Sequence, residues 1–526
     1  MKRIIVGVAV LAMFFAAGLA PLAAQAADRA YYVNTDEGKD DNNGRSAAQA
    51  FKTLQKAFES AKATAVKKII LLVPAGTRDT ATVGGESVLI KDTGDAEILL
   101  TTVDNSNAFS IRIDISGKSR VRLENIKIDG SQLAVAYGTQ LTLGGGSEVT
   151  NIVNGGQGGG SGATVILESN AKMRPSYDTY RRVWYDRVGL EINDGGKVII
   201  KDHAEITGYK TNGVEIGKVY NRAEDTNELT LQDNAKISDC DGTGIHCERG
   251  SIILKGSAVM SGNKGDNYFG GGAIVMTEGT LLMQDNAAIT GNTTKNNGGG
   301  ICLDPTGVSG CHIRVTITGN AVVSGNTAKH GGGIYLAGTG NEFYETDTYY
   351  SLLDGFDPRE KITKVTIRKN GVSLVLDGTA SIKDNTATEG GGIYITNGSV
   401  LTEYTGDEVK KTATLTQTVG GFLMKGGTIS GNKADYGAGV YVCAENDLTI
   451  PEQRGVYGSL YKAQNTGKQI SKPGFTFTGG SITGNAAEFV GGGVFVKKSG
   501  AYVPGRGTVT NNTAGDGEGE NVYNLP

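Results

Sequence analysis

The side chains that could carry acid–base, metal or nucleophilic chemistry in this 526-residue chain are scattered. There are four histidines: His203, His246, His312 and His330. Glycan hydrolysis needs two carboxylates placed across a scissile bond, one of them acting as an acid. Glycan elimination needs a base, often Arg or Lys, and a positive charge beside the uronate. Neither set recurs at one place, because the carboxylates are spread over turns and insertions. No catalytic residue is therefore assigned, and no enzyme active site is read. Asp36 to Gly44 and Asp239-Cys240-Asp241-Gly242 are rich in the oxygen ligands that calcium prefers. Neither follows the twelve-residue calcium loop. No cofactor or metal is expected, with calcium as the alternative at the first cluster. The five cysteines, Cys240, Cys247, Cys302, Cys311 and Cys443, match no zinc spacing. Their odd number leaves at least one unpaired, and a local Cys302–Cys311 disulfide stays open.

Two other groups could act by binding. Aromatic residues collect in insertions: Phe343, Tyr344, Tyr349, Tyr350 and Phe356 near 337–372, Tyr404 near 396–420, and Tyr457 and Tyr461 near 444–474. A separate insertion near 174–187 holds Tyr177, Tyr180, Arg181, Arg182, Trp184, Tyr185 and Arg187. Aromatic rings and Arg on loops over a rigid scaffold suit contacts with a carbohydrate or a cell-surface protein. The alternative is that they pack the loops onto the scaffold. Asn263, Asn292, Asn326, Asn385, Asn432, Asn485 and Asn512 recur once per repeat. These read as a structural ladder of stacked amides rather than as a ligand strip, and Cys240 holds the same slot one repeat earlier.

The scaffold is legible from self-comparison. Three blocks recur in fixed order. The first is an alternating apolar pair, such as Leu229/Leu231, Ile252/Leu254, Leu374/Leu376 and Phe475/Phe477. The second ends in Ile-Thr-Gly-Asn or a variant, as at Ile289–Asn292 and Ile482–Asn485. The third is a glycine cluster and a strand, as in Gly331-Gly332-Gly333-Ile334-Tyr335-Leu336 and Gly390-Gly391-Gly392-Ile393-Tyr394-Ile395. Period two is the mark of a strand, and Gly and Asn suit sharp corners. Three strands and three corners in a short repeat predict an all-β solenoid: a right-handed, single-stranded parallel β-helix whose inward aliphatic residues stack in rows. A propeller would need longer, four-stranded repeats. Phe51, Leu54, Phe58 and Ala61 stand at helical spacing and predict a capping helix over 47–65.

The opening Tyr32-Val33-Asn34 through Asp40-Asp41-Asn42-Asn43-Gly44, followed by Phe51 to Ala57, resembles the start of pectate-lyase-like β-helix proteins. The glycine-cluster blocks, Gly271-Gly272-Ala273-Ile274 above all, resemble the repeats of polymorphic outer-membrane proteins, a family of adhesin-like bacterial surface proteins. The resemblance implies a surface or extracellular location and an adhesive role. The chain departs from it: Ile-(Ser/Thr)-Gly-Asn replaces the paired Phe-x-x-Asn element, and no C-terminal membrane barrel is read. Gly244-Ile245-His246-Cys247 lacks the glycine-flanked His of polygalacturonases, which also carry paired Asp residues and Arg-x-Lys.

Residues 1–26 read as a signal peptide: Lys2 and Arg3, an apolar run from Ile4 to Leu19, and a small-x-small site at Ala24-Gln25-Ala26. Residues 27–75 then form an N-terminal cap and 76–526 the β-helix with its insertions. The expected protein is exported, to the extracellular space, the outer-membrane surface or the periplasm, with no transmembrane segment after signal removal. A formal charge of -4 offers no basic face for nucleic acid. Its expected role is adhesin-like binding or structure, through loops on one side of the rod. The alternative is a polysaccharide lyase or glycoside hydrolase on the same fold.

Overall fold

The computed structural model describes residues 29–72 and 87–525, apart from 104–107, 110, 156–161, 179–182, 186–187, 218–225, 266–269, 306–311, 338–341, 349–362, 370, 397–399, 408–411, 420, 444–452, 455–459, 462–473 and 498–501. Within them the chain winds as a parallel β-helix. Each coil contributes one short strand to each of three faces, and each strand pairs in parallel with its counterpart one coil later.

The first face is a sheet of fifteen strands, from Ala30–Val33 to Tyr502–Val503. Its register carries one inward row from Leu141 through Val165, Val198, Leu229, Ile252, Leu281, Val315, Leu374 and Phe422 to Phe475. The second face aligns Met260, Ile289, Val323, Ile382, Ile429 and Ile482. The third aligns Ile274, Ile301, Ile334, Ile393, Val440 and Val494. All of these side chains are buried in one continuous core. A lone coil could not cover them. Stacking does, and each such side chain contributes about 1.5–3 kcal/mol by leaving water. Within the first-face row Phe422 and Phe475 stack at 4.7 Å. Further toward the N-terminus the corner between faces two and three is less sharp. There Glu148–Asn154 serves both faces, pairing with Lys172–Met173 and with Leu190–Ile192 around a register shift.

The corners follow from the residue types. The position before the ladder Asn is left-handed. It is Gly262, Gly291, Gly325, Gly431 or Gly484, with φ between 63° and 68°, or else Asp384 or Asn511, with φ of 56–57°; Asp239, at 57°, takes the same place before Cys240. Asp and Asn are the non-glycine residues that reach this region most readily. Around Gly484 there is open space for a side chain. Gly484→Asn is therefore expected to change stability by less than about 0.5 kcal/mol, whereas β-branched Gly484→Val costs about 2 kcal/mol. Denaturant midpoints of the two variants check this.

Three features differ from the sequence expectation. The helix is shorter, Leu54–Ala63, with a 3-10 turn at Ala47–Gln49. Asp40 accepts hydrogen bonds from the Lys52 and Thr53 amides and from the Thr53 hydroxyl, each at 2.9 Å. Thr53 then caps the helix by accepting from the Lys56 amide. Phe51 thus lies before the helix, bridged to Val33 and packed on Tyr31. Second, the later coils add a fourth short ladder just after the Asn column. It runs through Thr293, Thr327, Thr386 and Lys433, then through Lys433–Tyr436, Ala486–Val490 and Thr513–Ala514. Third, two insertions are not plain loops. Glu342–Thr348, Thr363–Lys369, Val400–Asp407 and Thr412–Val419 form one antiparallel four-stranded sheet, which joins insertions from successive coils. Their Thr- and Val-rich alternation suits strands. The 444–474 insertion contributes only a separate pair, Gln453–Arg454 with Leu460–Tyr461.

Candidate binding surface

The aromatic residues singled out in the insertions are placed by backbone alone, or lie outside the described residues. Tyr344, Ile367, Tyr404 and Leu415 share one cross-strand row of the four-stranded sheet. Trp184 lies opposite Tyr177 in the hairpin of Ser176–Asp178 and Val183–Tyr185. Tyr461 is in the short pair with Gln453. Tyr349, Tyr350, Tyr457 and Arg181 lie outside the described residues, as does Cys311.

The Asn column forms an unbroken chain of buried hydrogen bonds. Each Asn Oδ1 accepts from the backbone amide and the side-chain amide of the Asn one coil earlier. At Asn385 these come from Asn326, at 3.0 and 2.9 Å. Each Nδ2 also donates to a carbonyl one coil back; for Asn385 this is Val323, at 3.1 Å. The pattern runs from Asn263 to Asn512. At one end the Cys240 amide donates to Asn263, and at the other Asn512 donates to the Asn521 side chain. With both donors and acceptors engaged, these amides have no capacity left for a ligand. Burial pushes the Cys240 thiol up to about 12, which makes it unreactive at neutral pH.

The acidic turns are engaged as well. Asp40 holds the helix entry, as described above. Asp241 lies between Lys210 and Lys264, at 2.6 Å from each. Their hydrogen bonds hold its carboxyl below the usual range. Among the described residues no group of three His, Cys, Asp or Glu side chains is arranged as metal ligands would be.

What the register does bring together is an outward column on the third face: Glu191, Glu215, His246, Val275, Cys302, Tyr335, Tyr394, Tyr441, Phe495 and Tyr523. It has two halves. In the polar half, Glu215 meets His246 Nδ1 at 2.6 Å, and Asn212 Nδ2 donates to the other Glu215 oxygen at 2.8 Å. A carboxylate so held orients an imidazole for proton transfer. In the aromatic half five rings stack, with centroids 5.6, 4.8, 4.7 and 5.5 Å apart and interplanar angles of 7° to 18°. Burial pushes the Tyr335, Tyr394 and Tyr441 hydroxyls up. In such a stack the ring faces are consumed by one another, so the column offers edges, not platforms.

No protein-family model, curated protein or solved structure matches this chain.

One aromatic pair beside the stack does keep surface open. Tyr436 and Phe489 come from adjacent strands of the fourth ladder, and their centroids lie 5.1 Å apart. They are 36% and 37% exposed. Tyr436 also packs edge-on against Phe495, which anchors the pair to the stack. The aromatic column itself could have been found from sequence, since Tyr335, Tyr394, Tyr441 and Phe495 share one position of the third block. Tyr436 and Phe489 could not, because their strands carry no repeated motif.

Proposed function

We propose that the chain is an exported β-helix protein whose rod presents a binding surface to a carbohydrate or a cell-surface protein, as the resemblance to adhesin-like outer-membrane repeats implies. The observation that carries this is the exposed Tyr436–Phe489 pair, held against a stacked aromatic column. Large rings on a preformed surface gain contact area at low entropic cost and are typical binding hot spots. The test is a glycan and extracellular-matrix binding screen of the full chain, repeated with a Tyr436→Ala/Phe489→Ala variant. The top ligand is expected to lose at least about tenfold in affinity. Unchanged binding by the variant removes this surface from the account.

The Asn212–Glu215–His246 arrangement favours a second reading, polysaccharide cleavage on the same fold. An oriented imidazole is a competent base. Turnover of a pectin or glycosaminoglycan panel that disappears in Glu215→Gln supports it, and no turnover by the parent chain excludes those substrates.

A further inference from the structure

The surroundings of the aromatic pair narrow its partner. The strands Lys433–Tyr436, Ala486–Val490 and Thr513–Ala514 hold one basic residue, Lys433, at the end of its strand away from Tyr436. Glu488 precedes Phe489 and is exposed. The chain then turns back beside it: the Asp516 amide donates to the Phe489 carbonyl at 3.2 Å. A methyl group on Gly515 would lie 2.0 Å from the Glu488 carbonyl. This close passage places the exposed Asp516 next to Phe489. The same turn carries exposed Glu518 and Glu520, and the Glu520 carbonyl accepts from the Gly493 amide at 2.9 Å.

Several carboxylates elsewhere on the rod are paired with cations. Glu168 binds Arg122 and Lys201, Glu205 binds Lys172 and Lys236, and Asp241 binds Lys210 and Lys264. Glu488, Asp516, Glu518 and Glu520 enter no ion pair with any described residue. Two partly exposed rings beside carboxylates that enter no ion pair with a described residue are complementary to a cation carried on an apolar stem. A cation lying within about 6 Å of a ring centroid gains about 0.5–2 kcal/mol, depending on desolvation. Nearby carboxylates add attraction that falls as salt rises.

We propose that the Tyr436–Phe489 surface docks a basic protein segment, with a Lys or Arg side chain over the rings and its charge shared by Glu488 and Asp516. This rests on the reading of that pair as the binding surface and adds the class of partner.

The test uses the full chain and four probes: a decalysine peptide, a decaglutamate peptide, an uncharged Gly/Ser decapeptide and a neutral β-glucan hexasaccharide. Decalysine alone is expected to bind. Tyr436→Leu/Phe489→Leu keeps much of the apolar volume and removes the rings; it is expected to weaken binding by about tenfold. Glu488→Gln/Asp516→Asn is expected to weaken it severalfold and to flatten its salt dependence. Glu488→Gln/Asp516→Asn should keep the parent's thermal midpoint, since those side chains are exposed; the ring variant loses packing on Phe495 and should melt slightly lower while staying folded at the assay temperature. Decalysine binding that is indifferent to the ring substitutions would overturn the proposal, since it would be bulk attraction to an acidic protein. Binding of β-glucan in place of decalysine, lost in the ring variant, would also overturn it while leaving the binding surface standing. Binding of no probe overturns it as well.

Discussion

Asn385→Ala is expected to lower unfolding free energy by about 4 kcal/mol. The substitution removes an Oδ1 that accepts from both the amide and the side chain of Asn326, and an Nδ2 that donates to Val323 and to Asn432. The site is fully buried, so water cannot take over. The Asn326 amide, one Asn326 Nδ2 hydrogen and the Val323 carbonyl each lose a partner, and each such loss costs about 1–3 kcal/mol. The damage should be centred on the affected coils, because a solenoid couples mainly to its nearest neighbours. Hydrogen exchange is the readout that sees this: protection should fall at Asn326 and the adjoining strands before it falls near Leu141. Asn385→Asp retains the acceptor but places a carboxylate in the core, so it is expected to be no better tolerated. A change below about 1 kcal/mol in Asn385→Ala would mean that the column is not the buried hydrogen-bond chain described here.

Gly392→Val is expected to cost about 3 kcal/mol. The residue is not in a left-handed conformation, so valine's own backbone preference is not the issue. A Cβ at this position would lie 2.5 Å from the Gly439 carbonyl one coil on, 3.1 Å from Asn432 Nδ2 and 3.2 Å from the Ile429 side chain. Backbone and ladder cannot retreat without breaking the stack. The same carbonyl contact recurs at Gly300, Gly333, Gly439 and Gly493, which is why the cluster ends in glycine in coil after coil. Ala273 occupies the matching position in an earlier coil, so a single carbon can be accommodated locally, and valine is the decisive change. Denaturant unfolding that leaves Gly392→Val as stable as the parent would show that the next coil is not where the register puts it.

The scaffold was legible in the sequence because burial imposes period two on every inward position. Leu229/Leu231 and Ile252/Leu254 could hardly be anything but stacked strands. The Asn column was equally visible, since a corner amide is useful only when repeated. Its closure by Asn521 was not, because that residue belongs to no repeat. The helix start is not legible because Phe51 mimics helical spacing, while the Asp40 carboxylate, eleven residues upstream, holds the extended entry. The fourth ladder leaves no mark in the sequence because Thr293, Thr327 and Thr386 pair through single bridges with no apolar alternation. The insertion sheet was hidden in segments that share no repeat with the coils. For the candidate surface, the decisive fact is that Tyr436 and Phe489 lie one coil apart, and only the register supplies that. The partnership of His246 with Glu215 is likewise hidden in the sequence, because it depends on two coils being in vertical alignment.

The central claim is that each coil advances the chain by one strand spacing, however many residues it contains. Gln140, Glu228, Thr280 and Ser373 occupy one outward slot of the first face, three, five and seven coils apart from Gln140. Pulsed electron–electron distance measurements between a spin label at Gln140 and one at each of the others should give backbone separations of about 14, 24 and 34 Å, linear in coil number at about 4.8 Å per step. The long insertion between Arg314 and Ser373 should add no more than any other coil. Distances that grow with residue count, or a label at Ser373 no farther from Gln140 than one at Thr280, would contradict the stacked helix and everything drawn from its register.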